Sequence, residues 1–315
     1  MTASTLDAPF PWFGGKRRVA AEVWRRFGAV KNYVEPFFGS GAVLLARPQG
    51  LMPAAVIETI NDLDSYVANF WRAIQRDPET VARWADEPVN ECDLHAKHVW
   101  LIERKQDLQA QVSGDPDYYD ARIAGYWVWG LAVWIGSGFC SGKGPWWIDA
   151  DRKLVHLGGA GQGVNRTRVH LGEWFEALAQ RLRCVRVTSG DWSRVCGPSP
   201  THKLGMTGVF LDPPYADTAK RHPSLYLHDS FTVAHDVRAW AIENGENPRI
   251  RIALCDYEGE HETPESWSCH AWKAQGGFAT QSRTREDTGA NARRERIWFS
   301  PHCLTPEETR EDCGT

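Results

Sequence analysis

Residues 32–46 read NYVEPFFGSGAVLLA, and their order decides the fold. NYVEP is a short apolar run suited to a buried strand, FFGSG is a loop, and AVLLA starts a helix. Glycine at positions 39 and 41, between strand and helix, permits a tight turn and lets a ligand approach the backbone closely. Downstream, AAVIETIND (54–62) supplies a second strand ending at Asp62, and Leu63–Gln75 a second helix. Upstream, the loop PWFGGK (11–16) leads into helical spacing of apolar residues over Arg17–Phe27. Strand, glycine loop, helix, strand, acid is the order of a nucleotide-binding βαβ unit, in which the acid can hold ribose hydroxyls. The loop lacks the full G-x-G-x-x-G and is not followed by a basic residue with Ser or Thr, so phosphate is not the expected ligand.

The same alternation returns late in the chain. LGEWFEALAQRL (171–182) reads as a helix, CVRVTS (184–189) as a strand, and GVFL (208–211) as a strand that runs straight into DPPY (212–215). VAHDVRAWAIEN (233–244) follows as a helix, RIRIALC (249–255) as a buried strand, and RRERIWFSP (293–301) as a closing strand. Between the two α/β portions the texture changes. Residues 91–112 and 121–136 read as helices, and 137–168 is rich in glycine and basic residues without a steady period. A loop-rich stretch of that length inside a compact fold points to function. The expected architecture is a Rossmann-like, doubly wound mixed sheet built from residues 1–90 and 171–315, with 91–170 as an insertion.

Composition narrows the possibilities. With 42% hydrophobic and 24% charged residues, the 315-residue chain is that of a globular protein with a substantial core. A net charge of -4 provides no global basic field, so nucleic-acid binding must rest on a local patch. The opening MTASTLDAPF lacks the pattern of a signal peptide, and no apolar run approaches a membrane span. A cytoplasmic protein of a bacterial or virus-infected cell is expected, with its eight cysteines reduced and structural. The His and Cys spacings complete no four-ligand set, so no metal is expected.

The chemistry concentrates in VFLDPPY. A hydrophobic strand delivers Asp212 at its carboxyl end, where open α/β sheets bind ligands. The prolines Pro213 and Pro214 stiffen the turn, donate no hydrogen bond, and leave the Pro213 carbonyl as an acceptor. Tyr215 adds an aromatic face. Two acceptors and a stacking ring suit a planar base bearing an exocyclic amino group. Such an amino nitrogen is a poor nucleophile, because its lone pair is delocalised into the ring. Accepting both of its protons draws it towards a tetrahedral geometry and frees the lone pair for attack.

PWFGGK, YVEPFFGSG, INDLD, SGDW and LDPPY, in that order, resemble the Dam-like class of DNA adenine methyltransferases. The resemblance covers roughly residues 9–90 and 175–300; residues 91–170 match only as the place where that family inserts its target-recognition domain. It implies S-adenosylmethionine as cofactor, double-stranded DNA as partner, and transfer to the amino group of a flipped-out adenine. Carried over by motif, it puts Trp12, Lys16, Glu35, Gly39 and Gly41 at the cofactor, Asp62 on its ribose, and Asp191 with Trp192 beside its adenine. Asp212 then sits between cofactor and target base. Where the family often has a second acid after the N-D pair, this chain has Tyr66.

DNA contacts are expected from the insertion, where Lys143, Trp146, Arg166 and Arg168 lie among glycines. Arg293, Arg294 and Arg296 read instead as an exposed strand face. A monomer is expected; a restriction endonuclease partner is compatible with the sequence, which carries no nuclease motif. Two rivals stay open: methylation of the cytosine amino group, and a catalytically silent DNA-binding module that keeps the cofactor pocket.

Overall fold

The structure is a computed structural model, and it describes residues 6–10, 12, 15–53, 55–115, 117–134, 139–140, 170–214, 232–259, 262–272 and 294–305. Among the described residues, seven strands form one sheet: β1 (Asn32–Glu35), β2 (Ile57–Asp62), β3 (Val185–Ser189), β4 (Thr207–Leu211), β5 (Ile250–Tyr257), β6 (Ser268–Ala271) and β7 (Glu295–Phe299). Their order across the sheet is β3-β2-β1-β4-β5-β7-β6. The pairs from β3 through β5 are all parallel, whereas β7 runs antiparallel to both β5 and β6. The mixed, doubly wound sheet expected from the sequence is therefore the fold.

Period-2 alternation assigns the strand side chains to two layers. Tyr33, Ile60, Phe210, Ala253, Cys255 and Ile297 face a large core shared with the helices α1 (Arg17–Phe27), α3 (Ser65–Arg76) and α7 (Leu171–Leu182). Val34, Val209, Leu211, Ile252 and Leu254 face a smaller one closed by Val237 and Ala241 of α8 (Val233–Gly245). Trp24 and Trp71 are fully buried on the larger side. Each large apolar side chain taken out of water there contributes about 1.5–3 kcal/mol.

Local chemistry sets the element ends. The α1 helix stops at Gly28, whose φ of 58° suits glycine and whose N–H reaches the Trp24 carbonyl at 2.8 Å. The α3 helix starts at Ser65, two residues later than its apolar spacing suggests, because Asp64 accepts the Tyr66 N–H at 2.9 Å and acts as its cap. Asp77 caps the short α4 (Pro78–Ala85), which has Pro at its first position. Neither α4 nor the edge strand β6 is anticipated in the sequence. A four-residue helix, α2 (Ala42–Leu45), follows the glycine loop.

After α4 come α5 (Glu91–Gly114), capped by Asn90, and α6 (Ala121–Val133), capped by Asp120. Both pack into the large core: Leu101, Leu108 and Val112 of α5 join Ile123, Ala124 and Trp127 of α6 there. Lys97 on α5 is buried, pairs with Glu87, and lies 3.8 Å from the Trp129 ring centroid. No helix among the described residues is long and apolar enough to cross a membrane.

Candidate active site

Because β1, β2, β3 and β4 are parallel, their carboxyl ends share one edge of the sheet. Glu35, Asp62 and Ser189 end the first three strands, and Asp212 follows the last residue of β4. β1 lies between β2 and β4, so the glycine loop has Asp62 on one side and Asp212 on the other.

The glycine loop is a tight cradle. Gly39 (φ 48°) and Gly41 (φ 71°) are both left-handed. A Cβ on Gly39 would fall 2.3 Å from the Trp12 indole nitrogen, and one on Gly41 would fall 2.6 Å from the Phe38 ring. Both positions thus need glycine for conformation and for space. Trp12 is half-buried, and its ring closes over Gly39 while lying 6.2 Å from that of Trp127 on α6. Trp71 fastens the loop from below by donating to the Gly39 carbonyl at 2.9 Å.

Asp62 is half-buried, and its two oxygens accept the Gly39 and Asp64 N–H groups, each at 2.9 Å. Burial pushes its carboxyl up to about 7, against the lowering effect of those hydrogen bonds. A carboxylate has about four lone-pair sites, so acceptor capacity remains for ligand hydroxyls. Its neighbour Asn61 is fully buried and joins two loops of the edge. It donates to the Pro36 carbonyl at 3.1 Å and the Gly190 carbonyl at 2.9 Å, and accepts from Thr188 at 3.0 Å. The sequence marks the N-D pair but does not reveal this bracing role.

Glu35 points into the protein. It is buried and accepts the Tyr33 hydroxyl at 2.7 Å; burial raises its carboxyl well above the ordinary range. Asp191 is exposed and caps the following turn, accepting the Ser193 N–H at 2.9 Å. Trp192 is half-buried and roughly parallel to Phe37, with centroids 6.4 Å apart and planes 30° apart. Phe37, the residue after Pro36 in the loop, packs beside Trp192 at this edge, a contact that the motifs alone do not single out.

Asp212 is partly exposed, with its side chain 21% accessible. The Lys16 ammonium lies 2.9 Å from Asp212 Oδ1 and 4.0 Å from Glu295 Oε2. Lys16 stands at the N-terminus of α1, an unfavourable place for a cation, and it is buried. Burial acts against its charge, but the two carboxylates more than offset it, and Lys16 stays charged above the usual lysine range. Lys16 is thus an internal partner of the acid in DPPY. Pro213 is buried and Pro214 half-buried.

Tyr215, Lys143, Trp146, Arg166, Arg168 and Arg293 lie outside the described residues. Arg294 and Arg296 are half-buried rather than exposed: Arg294 donates to the Glu258 carbonyl at 3.0 Å and Arg296 to the Glu258 carboxylate at 2.6 Å. Among the described residues, no cluster of three or more His, Cys, Asp or Glu has a metal-binding arrangement.

The donor set fits S-adenosylmethionine: a left-handed glycine cradle for close backbone approach, a strand-end acid with spare acceptor capacity, and a pair of aromatic walls beside Asp191. Residues 12–124, a little over a third of the chain, match the family described as D12 class N6 adenine-specific DNA methyltransferase. None of the curated proteins compared with the chain matches it.

Proposed function

We propose that the chain, whose residues 12–124 match the D12 class of N6 adenine-specific DNA methyltransferases, is an S-adenosylmethionine-dependent DNA adenine methyltransferase, and that Asp212, Pro213, Pro214 and Tyr215 form its catalytic seat, acting on a flipped-out adenine at a defined site in duplex DNA. The observation that carries this reading is the position of Asp212 at the carboxyl end of β4, beside the glycine cradle of β1 and held by Lys16. Extruding the base from the duplex gives these groups access to its amino nitrogen.

S-adenosylmethionine, when bound, supplies an electrophilic methyl group on a sulfonium sulfur. The glycine loop and Trp12 receive it, with Asp62 accepting from its ribose hydroxyls and Asp191, Trp192 and Phe37 bordering its adenine. Asp212 and the Pro213 carbonyl accept hydrogen bonds from the two N–H groups of the target amino group, and Tyr215 stacks on the base. This polarisation moves the nitrogen lone pair out of conjugation. On taking up the methyl group, the amino nitrogen would shed one proton along its hydrogen bond to Asp212. Lys16 holds Asp212 in place through its 2.9 Å contact, so little reorganisation is needed during transfer.

Residues 91–170 supply sequence recognition in this reading, with α5 and α6 as a rigid base and Lys143, Trp146, Arg166 and Arg168 reaching the DNA. The protein acts as a monomer. Expression in a host free of DNA methylation, followed by mapping of modified bases, tests the whole reading. N6-methyladenine at one short recurrent sequence is the expected result. Methylation of cytosine amino groups, or no modification, overturns it.

A further inference from the structure

Glu295 is the first residue of β7, the strand that runs against its neighbours. That reversal is what brings it to the site. β7 pairs with β5 so that Glu295 lies opposite Tyr257, the last residue of β5, and so reaches the carboxyl edge of the parallel strands. Its side chain is 5% exposed and that of Lys16 is 4% exposed. The ammonium sits between Asp212 Oδ1 at 2.9 Å and Glu295 Oε2 at 4.0 Å, with the Trp272 ring centroid 5.8 Å away as a third wall. Trp272 is tied to the same strand end, its N–H reaching the Glu295 carbonyl at 3.3 Å.

We propose that Glu295 is a positioning residue for methyl transfer, acting through Lys16 on Asp212; this rests on the role given to Asp212 above. A lysine paired with Asp212 alone would draw on the electron density that the target amino protons need. Charge-assisted hydrogen bonds of that kind are the strong ones, and in a buried setting they are stronger still. A second carboxylate behind the ammonium, at 4.0 Å, shares its charge through space. Asp212 then keeps a fixed orientation and remains a strong acceptor. The burial of Lys16 and Glu295 stops water from doing the same job.

The test uses the full-length protein with Glu295→Gln, Glu295→Asp, Lys16→Met, and Lys16→Met combined with Glu295→Gln. Single-turnover methyl transfer to duplex DNA and S-adenosylmethionine affinity are measured for each. Glu295→Gln is expected to slow transfer about tenfold or more while cofactor affinity stays within about twofold, and Glu295→Asp to recover most of the rate. Adding Glu295→Gln to Lys16→Met is expected to cause no further loss, because the route through Lys16 is already gone. A readout independent of activity is the side-chain resonance of Lys16 in protein labelled at lysine. It should move with Glu295→Gln and hold still with Glu258→Gln, whose carboxylate pairs with Arg296 instead.

An unchanged transfer rate in Glu295→Gln, or losses that multiply in the double variant, overturns the proposal. Should Glu295→Gln fail to fold, the Lys16 resonance in Glu295→Asp decides: a shift on shortening the carboxylate is expected, and a resonance that holds still overturns the proposal. Absence of transfer by the unaltered protein would contradict the proposed function, while a Lys16 resonance that ignores Glu295 contradicts this inference alone.

Discussion

Asp62 accepts the Gly39 backbone N–H at 2.9 Å, so the strand-end acid and the glycine cradle are one unit. Asp62→Ala should therefore affect more than a ribose contact. Losing a charge-assisted hydrogen-bonding group costs about 1.5–3 kcal/mol, and freeing Gly39 adds to this through the loop. S-adenosylmethionine affinity should fall at least about tenfold, with DNA affinity nearly unchanged. Calorimetry checks both, and unaltered cofactor affinity would remove Asp62 from the site.

The same carboxylate makes a pH dependence. Its pKa is pushed up to about 7 by burial in the folded protein, from an ordinary value of 3.8. The raised folded value means that its contribution to stability is fully present below the unfolded pKa and is lost as pH rises through about 7. Cofactor affinity should run the other way, improving as Asp62 ionises to accept the ribose hydroxyls. Thermal melts and binding titrations from about pH 5 to about pH 8 should show both trends, and Asp62→Asn should flatten them. Matching pH profiles for the variant and the unaltered protein would assign the dependence to another group.

Much of this site is legible in the sequence because its signals are local. Two glycines between a strand and a helix, an acid at the end of the next strand, and Asp-Pro-Pro-Tyr after an apolar run each need only neighbouring residues. What stays hidden depends on distant pairing. Glu295 looks like one charge in a basic run, RRER, until β7 pairs antiparallel with β5. The motif resemblance puts Lys16 at the cofactor and does not show that it lies against Asp212 at the start of α1. Asn61 gives no sign that it bridges Pro36 and Gly190, which lie far apart along the chain. β6 is short, largely exposed and at the sheet edge, so it has no alternation to read. The α4 helix is eight residues long, and its cap, Asp77, gains meaning only beside Pro78.

Gly39→Ala should disable the cradle for two separable reasons. The φ of 48° strains a residue with a side chain by about 1–3 kcal/mol, and the added methyl meets the Trp12 indole at 2.3 Å. Trp12→Ala in the same protein should relieve the clash but not the backbone strain, giving a partial recovery in melting temperature. A full recovery, or no destabilisation by Gly39→Ala at all, would count against the left-handed cradle.

Site choice should depend on residues 136–170. Alanine at Lys143, Arg166 and Arg168 should sort into two kinds. Loss of a bidentate base contact relaxes one position by about 1–3 kcal/mol, whereas loss of a phosphate contact weakens all sequences alike and lowers the salt dependence. Cofactor affinity should hold in every case, because the cradle is built from β1 and β2. Replacing the whole segment with a short linker should leave cofactor binding and abolish site-specific methylation. If the linker variant methylates the original site, recognition lies elsewhere in the chain.

Asp212→Ala tests the central claim most directly, with single-turnover methyl transfer to a duplex carrying the mapped site as the measurement. The side chain is partly exposed, and Lys16 keeps Glu295 at 4.0 Å, so the variant should fold and still bind S-adenosylmethionine. Transfer should fall at least about a hundredfold, as expected for removal of a preorganised electrostatic group. A folded variant with intact cofactor binding that transfers methyl groups at close to the normal rate would contradict the assignment of Asp212 as the catalytic acceptor.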